Sequence, residues 1–521
     1  MTDLLEFSGV TKRFGAFTAL DGIDVGFAAG EIHCLLGENG AGKSTLCNLA
    51  FGIFGPSEGA LAFDGAAYRP EGPKDALTAG IAMVHQHFSL VNDMSVVDNL
   101  MLGQARGFLD RKSFAARLTE LGEKYGLSMA PFARVGDLSI GERQRVEIVK
   151  CLMREPRLLI LDEPTAVLLP DEISALLDVC RAVAESGCAV ILVTHKLAEI
   201  KQVADRVTVL RGGRIVARSD SPADNIDALV RAMVGRDIEE LDSFAMTSIG
   251  VDSDSGASAR EAPTTAGATA VTGDEVAQFD GISVRDSTGA LRLDNFTVTV
   301  RRGEIVGIAG VEGNGQSELG DVIAGLTEPQ SGRFHIDNDD LTGATPAKIT
   351  ESGVGVVPED RHRVAAIVEM TLMENMLLNR IGGYTRYGLM NRRAMRSAAD
   401  RLTELFDVRA AGLDVPFGSL SGGNQQKAVL ARELSTPNLR FLLAAQPTRG
   451  LDVGAVEAVY RMIRQACDRG AGVLLISSEL DEILAVANRV VVLYRGRIIG
   501  ERPAHPRHRA AIGAMMAGQS A

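Results

Sequence analysis

Short runs of β-branched and aliphatic residues recur along the chain, each separated from the next by a longer stretch whose apolar positions suit one face of a helix. IHCLL (32–36), RLLIL (157–161), AVILVT (189–194) and RVTVL (206–210) are such runs. A strand that is apolar at consecutive positions must be covered on both faces, so the pattern predicts largely parallel sheets with amphipathic helices as crossovers, an α/β fold. No apolar run approaches the ~18 residues that a membrane-crossing helix needs. The opening MTDLLEFSGV has no basic region followed by an apolar core and a small-residue cleavage site, so no secretion signal is expected.

The pattern occurs twice. GEIHCLLGENGAGKS (30–44) and GEIVGIAGVEGNGQS (303–317) lie 273 residues apart, as do GIAMVHQ (80–86) and GVGVVPE (353–359). Farther on, LSIGERQRVEIVKCLMREP (138–156) answers LSGGNQQKAVLARELSTP (420–437) at an offset of 282, and VTHKLAEI (193–200) answers ISSELDEI (476–483) at 283. The chain is therefore a duplication whose second copy gained about ten residues in its middle. Between the copies, residues 248–275 are rich in Ser, Gly, Ala, Thr and acid, too poor in apolar surface to fold, and read as a flexible linker. The expected division is a first domain at 1–240, a linker at 241–276, a second domain at 277–505 and a tail at 506–521. Two cores also suit a chain of 521 residues, which is too long for one.

Charge and cysteine usage narrow the partners. A net charge of −13 argues against nonspecific binding to nucleic acid or to anionic lipid, which Lys and Arg would have to supply. The six cysteines are scattered through apolar segments without Cys-x-x-Cys spacing, so they read as buried thiols rather than a disulfide framework or a zinc site.

The candidate chemistry sits in the first copy. GENGAGKST (Gly37, Glu38, Asn39, Gly40, Ala41, Gly42, Lys43, Ser44, Thr45) follows a strand and opens a helix. In that context the glycines let backbone amides turn around an anion, Lys43 can reach the terminal phosphates and Ser44 can ligate Mg²⁺. RLLILDEP ends a buried strand in two acids, of which Asp162 can hold the Mg²⁺ shell and Glu163 can orient the attacking water. These features alone indicate a nucleoside triphosphatase with Mg²⁺ as its metal.

LSIGERQR and LSGGNQQK, each shortly before the strand of the acidic motif, resemble the signature of ATP-binding-cassette proteins, and the resemblance covers nearly all of the chain except linker and tail. It implies ATP as the nucleotide, and two tandem P-loop NTPase domains packed head to tail, each with a mostly parallel core sheet, a β subdomain and a helical subdomain. It also implies that Phe14 stacks on adenine, that Gln86 senses the γ-phosphate, helps hold the metal and contacts a membrane partner, and that His195 is the switch histidine. Residues 88–135 are then expected to form the helical subdomain.

The second copy departs from that pattern at every chemical position. Ser287 stands for Phe14, Gln316 for Lys43, Glu359 for Gln86, Ala445 and Gln446 for Asp162 and Glu163, and Ser478 for His195. Conversely, LSGGN (Ser421, Gly422, Gly423, Asn424) is regular, whereas LSIGE (138–142) carries Ile140 and Glu142, and a carboxylate aimed at ATP would repel it. With head-to-tail packing the resemblance implies one competent site, built from the first copy's loop and the second copy's signature, and one noncatalytic site.

A fused double cassette of this kind resembles the energising subunit of bacterial importers for monosaccharides and nucleosides. That implies two integral-membrane permease subunits and a substrate-binding lipoprotein as partners, and a peripheral place on the cytoplasmic face of the inner membrane, reached through the permeases. The stretches MVHQHFSLVNDMSVVDNLMLG (83–103) and LLAAQPTRGLDVGA (442–455) favour the nucleoside branch. A sugar importer, a soluble double cassette acting on ribosomes or nucleic acid, and a slow nucleotide-sensing regulator are the other readings.

Overall fold

The computed structural model describes residues 3–519 except 16, 86–87, 104–109, 166–167, 169, 195, 235–272, 287–288, 312, 388 and 452. The described residues form two compact units, one on either side of the 235–272 segment.

In the first unit the runs read as strands are strands. A six-stranded sheet has the order Arg214–Ser219, Arg206–Arg211, Ile32–Leu36, Ala189–Thr194, Leu158–Asp162, Ile81–Val84, parallel except for the antiparallel Arg214–Ser219 edge. Every residue of Ile32–Leu36, Leu158–Asp162 and Ala189–Thr194 is buried, which explains their unbroken apolar character. A second, antiparallel sheet has the order Phe17–Ala28, Asp3–Phe14, Glu58–Phe63, Ala66–Tyr68. Leu5, Phe7, Ile23 and Phe27 from it pack in one core with Leu35, Leu46, Ile160 and Ile191, each such side chain contributing roughly 1.5–3 kcal/mol by burial. Between the strands Ile81–Val84 and Leu158–Asp162 in chain order come the helices Val96–Met101 and Arg111–Tyr125, within the segment expected to be helical. The second is started by Asp110, whose side chain accepts from the Ser113 amide, and is stopped at Gly126.

The second unit repeats this topology. Its six strands run Val354–Val357, Phe441–Ala445, Gly472–Ser477, Ile305–Ala309, Arg489–Tyr494, Arg497–Pro503, and its antiparallel sheet runs Leu291–Arg301, Glu275–Arg285, Ser331–Ile336, Asp339–Asp340. Phe279 stacks on Phe334 at 4.8 Å and packs against Phe296 and Phe441, joining the two sheets.

Two features were not foreseen. The expected tail contains the helix Arg509–Met516, whose Ile512, Met515 and Met516 are buried against the second unit. Gly500 makes room for it, because a Cβ there would lie 2.3 Å from the Met515 sulfur. A small separate ladder, Thr385–Arg386 with Leu389–Met390, also occurs only in the second unit among the described residues. No helix among the described residues is long and apolar enough to cross a membrane.

Candidate functional site

Three neighbouring parallel strands end at the same edge of the first unit's sheet: Ile32–Leu36, Ala189–Thr194 and Leu158–Asp162. Open α/β sheets bind ligands at such carboxyl ends. The loop leaving Ile32–Leu36 enters the helix Lys43–Ala50 through Gly42, which has φ 105 and caps the helix start. A Cβ at Gly42 would lie 2.7 Å from Leu20 Cδ2 and 2.9 Å from the Ala19 carbonyl oxygen, so both backbone and packing demand glycine. Gly37 is equally confined, 2.4 Å from the Leu210 carbonyl oxygen by the same construction. The result is a backbone cradle opening onto a helix N-terminus, a geometry suited to phosphate.

Lys43 is buried at the base of this loop. Its ammonium donates to the carbonyls of Gly37 (2.7 Å) and Glu38 (3.1 Å) and lies 3.6 Å from Glu163 Oε1. Burial pushes its pKa down, with Glu163 and Asp162 opposing. The Ser44 hydroxyl donates to Asp162 Oδ1 at 3.3 Å, joining the phosphate loop to the acidic motif across 118 residues of chain. Burial pushes the Asp162 carboxyl up, and the Ser44 hydrogen bond only partly offsets that. A buried carboxylate in that condition gains from a divalent cation, and Ser44 with Asp162 offers the hard oxygen donors that Mg²⁺ prefers. Glu163 follows in the left-handed region, φ 49, with its amide donating to the Val193 carbonyl (3.1 Å), which turns the chain out of the strand beside Lys43. Thr45 lies in the helix that Lys43 begins. Gln86 and His195, expected at the same edge, lie outside the described residues, as does Ser287.

Phe14 closes the end of strand Asp3–Phe14 as a half-exposed ring. It meets Phe54 edge-on at 5.2 Å, and the Lys12 ammonium sits 5.1 Å from its centroid and 4.6 Å from that of Phe54. This aromatic and cationic shelf can take a stacked base.

The second unit keeps the scaffold and loses the donors. Gly315 has φ 105 and Gln446 has φ 47, matching Gly42 and Glu163. Gln316, however, turns back on its own loop, its amide oxygen accepting from the Asn314 amide (3.1 Å) and its nitrogen donating to the Val311 carbonyl (3.1 Å). A loop N–H of the kind a phosphate needs is thereby used internally. Ser317 donates to Glu359 (3.3 Å), which is ion-paired with Arg449 at 2.6 Å, so a guanidinium neutralises the carboxylate beside the serine. Gln446 and Ser478 hydrogen-bond each other where the first copy has Glu163 and His195.

The two signature segments differ in a way that sequence reading took only halfway. Glu142 is exposed, and one oxygen of its carboxylate accepts from the Ser139 amide (2.8 Å), while its own amide donates to the Ser139 hydroxyl (3.2 Å). This is a capping box, and the Ser-x-x-Glu spacing signals it. Both polar ends of the first signature are thus consumed in starting the helix Ile140–Leu152. The helix Gly422–Leu434 has no side-chain cap: the Ser421 hydroxyl instead accepts from Asn424 (2.9 Å), and the Asn424 oxygen accepts from the Arg409 amide (2.7 Å). Its first-turn amides beside Gly422 and Gly423 receive no side-chain acceptor, which suits an anion.

Comparison with known proteins agrees with this architecture. The family described as ABC transporter matches residues 20–166 and again 293–449. A nucleoside import ATP-binding protein of Lactococcus lactis is 43% identical over 95% of this chain and 94% of its own length. A guanosine import ATP-binding protein of Bacillus subtilis is 39% identical over 100% and 98%. A ribose import ATP-binding protein of Rubrobacter xylanophilus is 38% identical over 97% and 96%.

Proposed function

The chain belongs to the ABC transporter family, and from that premise we propose that it is the ATP-hydrolysing subunit that energises an importer, with a nucleoside as the solute. The observation that carries this reading is the joining of Lys43, Ser44, Asp162 and Glu163 at one sheet edge, set against the internally bonded Gln316 at the matching place in the second unit.

ATP is the substrate, its base stacked on Phe14 and its phosphates wrapped by the amides of residues 37–45 with the Lys43 charge against the terminal oxygens. Ser44 and Asp162, together with Gln86 by its place in the motif order, would hold Mg²⁺, which when bound neutralises phosphate charge and fixes the oxygens for in-line attack. Glu163 orients the attacking water and accepts its proton, and His195 is assigned the γ-phosphate contact. Ser421, Gly422, Gly423 and Asn424 are assigned to complete the pocket, a role supported by their uncapped helix start. Closure around ATP and reopening after hydrolysis are then transmitted to two permease subunits, which hold the chain at the cytoplasmic face of the membrane and take solute from a binding lipoprotein.

The nucleoside assignment is supported by the stretches 83–103 and 442–455 and by the names of two similar relatives. Uptake of labelled nucleosides, pentoses and hexoses in cells lacking this protein, complemented with wild type or Glu163→Gln, tests it. Nucleoside uptake restored by wild type alone is the expected result. Restoration of pentose or hexose uptake instead would keep the ATPase role and replace the solute.

A further inference from the structure

Residues 377–399, LLNRIGGYTRYGLMNRRAMRSAA, hold five arginines and no acid, in a chain whose net charge is −13. They fall in the part of the second copy that is longer than the first. Here Thr385 pairs with Met390 and Arg386 with Leu389, in a two-stranded ladder joined to no other sheet among the described residues. Its apolar side chains face water: Tyr387 is 91% exposed, Leu389 77% and Met390 50%. Tyr387 also has φ 50, a left-handed conformation rare for a bulky side chain, and the Arg386 guanidinium lies 5.4 Å from its ring centroid. Two of the five arginines serve the fold, Arg380 donating to the carbonyls of Arg432 and Ser435 and Arg396 pairing with Asp414. Arg386 is exposed at the apolar tip, Arg393 is exposed in the first turn of the helix that follows, and Arg392 is exposed with Glu374 3.9 Å away.

An isolated hairpin is marginal in water, and exposed Tyr, Leu and Met add nothing to it there. Its base is nevertheless held: the Asn391 amide donates to the Tyr384 carbonyl (2.8 Å), and the Asn391 side chain caps the helix Arg392–Leu405, which buries Met395, Ala398 and Ala399. The ladder thus presents an aromatic and aliphatic tip with the Arg386 guanidinium against it, on a support whose next helix opens with two further exposed arginines, Arg392 and Arg393. A tyrosine with apolar neighbours suits the boundary between headgroups and acyl chains, and arginines beside it suit lipid phosphates. We propose that the 385–390 hairpin is a lipid-contacting element that inserts its tip into the headgroup layer of an anionic bilayer. The whole-chain charge opposes general adhesion, so the contact is local to this tip.

The full chain is mixed with vesicles of phosphatidylcholine alone or with added phosphatidylglycerol, and the bound fraction is read by sedimentation at two salt concentrations. Wild type is expected to bind the anionic vesicles, less at higher salt, and to leave the neutral ones. Arg386→Gln with Arg393→Gln, and separately Tyr387→Ser with Leu389→Ser, should each lower the vesicle partition by roughly tenfold or more while melting temperature and ATP hydrolysis stay at wild-type values. Equal binding by wild type and variants, or no wild-type binding, would overturn the proposal. So would self-association, or capture by detergent-purified permeases, that needs no lipid and is lost in these variants. Because the readout involves neither ATP nor solute, its failure is separate from failure of the uptake test.

Discussion

Single side chains divide the two copies more sharply than their backbones do. Lys43→Ala removes the one cation at the base of the first loop among the described residues, and Glu163→Gln removes the carboxylate 3.6 Å from it. Each should lower phosphate release roughly a hundredfold or more, whereas Gln316→Ala, which breaks only bonds within its own loop, should leave the rate within a factor of a few. Equal losses from Lys43→Ala and Gln316→Ala would refute the one-site reading. Glu482 offers a test of stability instead of catalysis. It is buried and accepts hydrogen bonds from Thr448 (2.8 Å) and Tyr460 (2.5 Å), and burial, with help from the charge of Glu479, pushes its pKa from 4.5 up to about 7. The folded protein therefore holds this proton more tightly than the unfolded chain. The resulting stabilisation is complete below about 4.5 and lost as pH rises through about 7. Thermal melts of wild type should fall across that window relative to Glu482→Gln, and parallel curves would refute the assignment.

Helix starts and tight loops are where the copies agree in form. Gly42 and Gly315 share φ 105, and in both a Cβ would strike a carbonyl oxygen, that of Ala19 at 2.9 Å or Arg292 at 2.7 Å. Gly42→Ala and Gly315→Ala should thus each cost stability, roughly 1–3 kcal/mol by denaturant unfolding. Only Gly42→Ala should also abolish Mg²⁺-dependent ATP binding, which equilibrium dialysis would read directly. The Gly-x-x-x-x-Gly frame announces both loops. That the second binds itself through Gln316 was not announced, because a glutamine in that place could as well face solvent until the Asn314 amide is set beneath it. The capping box at Ser139 and Glu142 was readable from its spacing, and the same hydrogen bonds that start the helix hold the Glu142 carboxylate at the first signature.

Across the entire chain, duplication followed by divergence leaves, on the proposed reading, one complete set of phosphate, metal and water ligands. Titration of Glu163→Gln with ATP and Mg²⁺ should therefore give about one tight site per chain, and two sites of equal affinity would refute the asymmetry. The repeat, the parallel sheets and the grouping of Lys43, Ser44, Asp162 and Glu163 at one strand edge were legible from residue order, because each depends on local periodicity or on a motif confined to one short segment, whereas the expected linker lies, but for residues 273–276, outside the described residues. Contacts between distant segments were not. Glu359 is neutralised by Arg449 across 90 residues, a pairing no motif implied, whereas Ser44 meeting Asp162 was implied only through the metal they were expected to share. The tail helix docks because Gly500 leaves space for Met515, and the 385–390 ladder exposes its apolar tip because no other strand pairs with it among the described residues. Spacing along a chain specifies which groups can do chemistry, whereas partner, burial and charge state depend on which strands lie side by side, and that emerges only when the sheets and their loops are assembled.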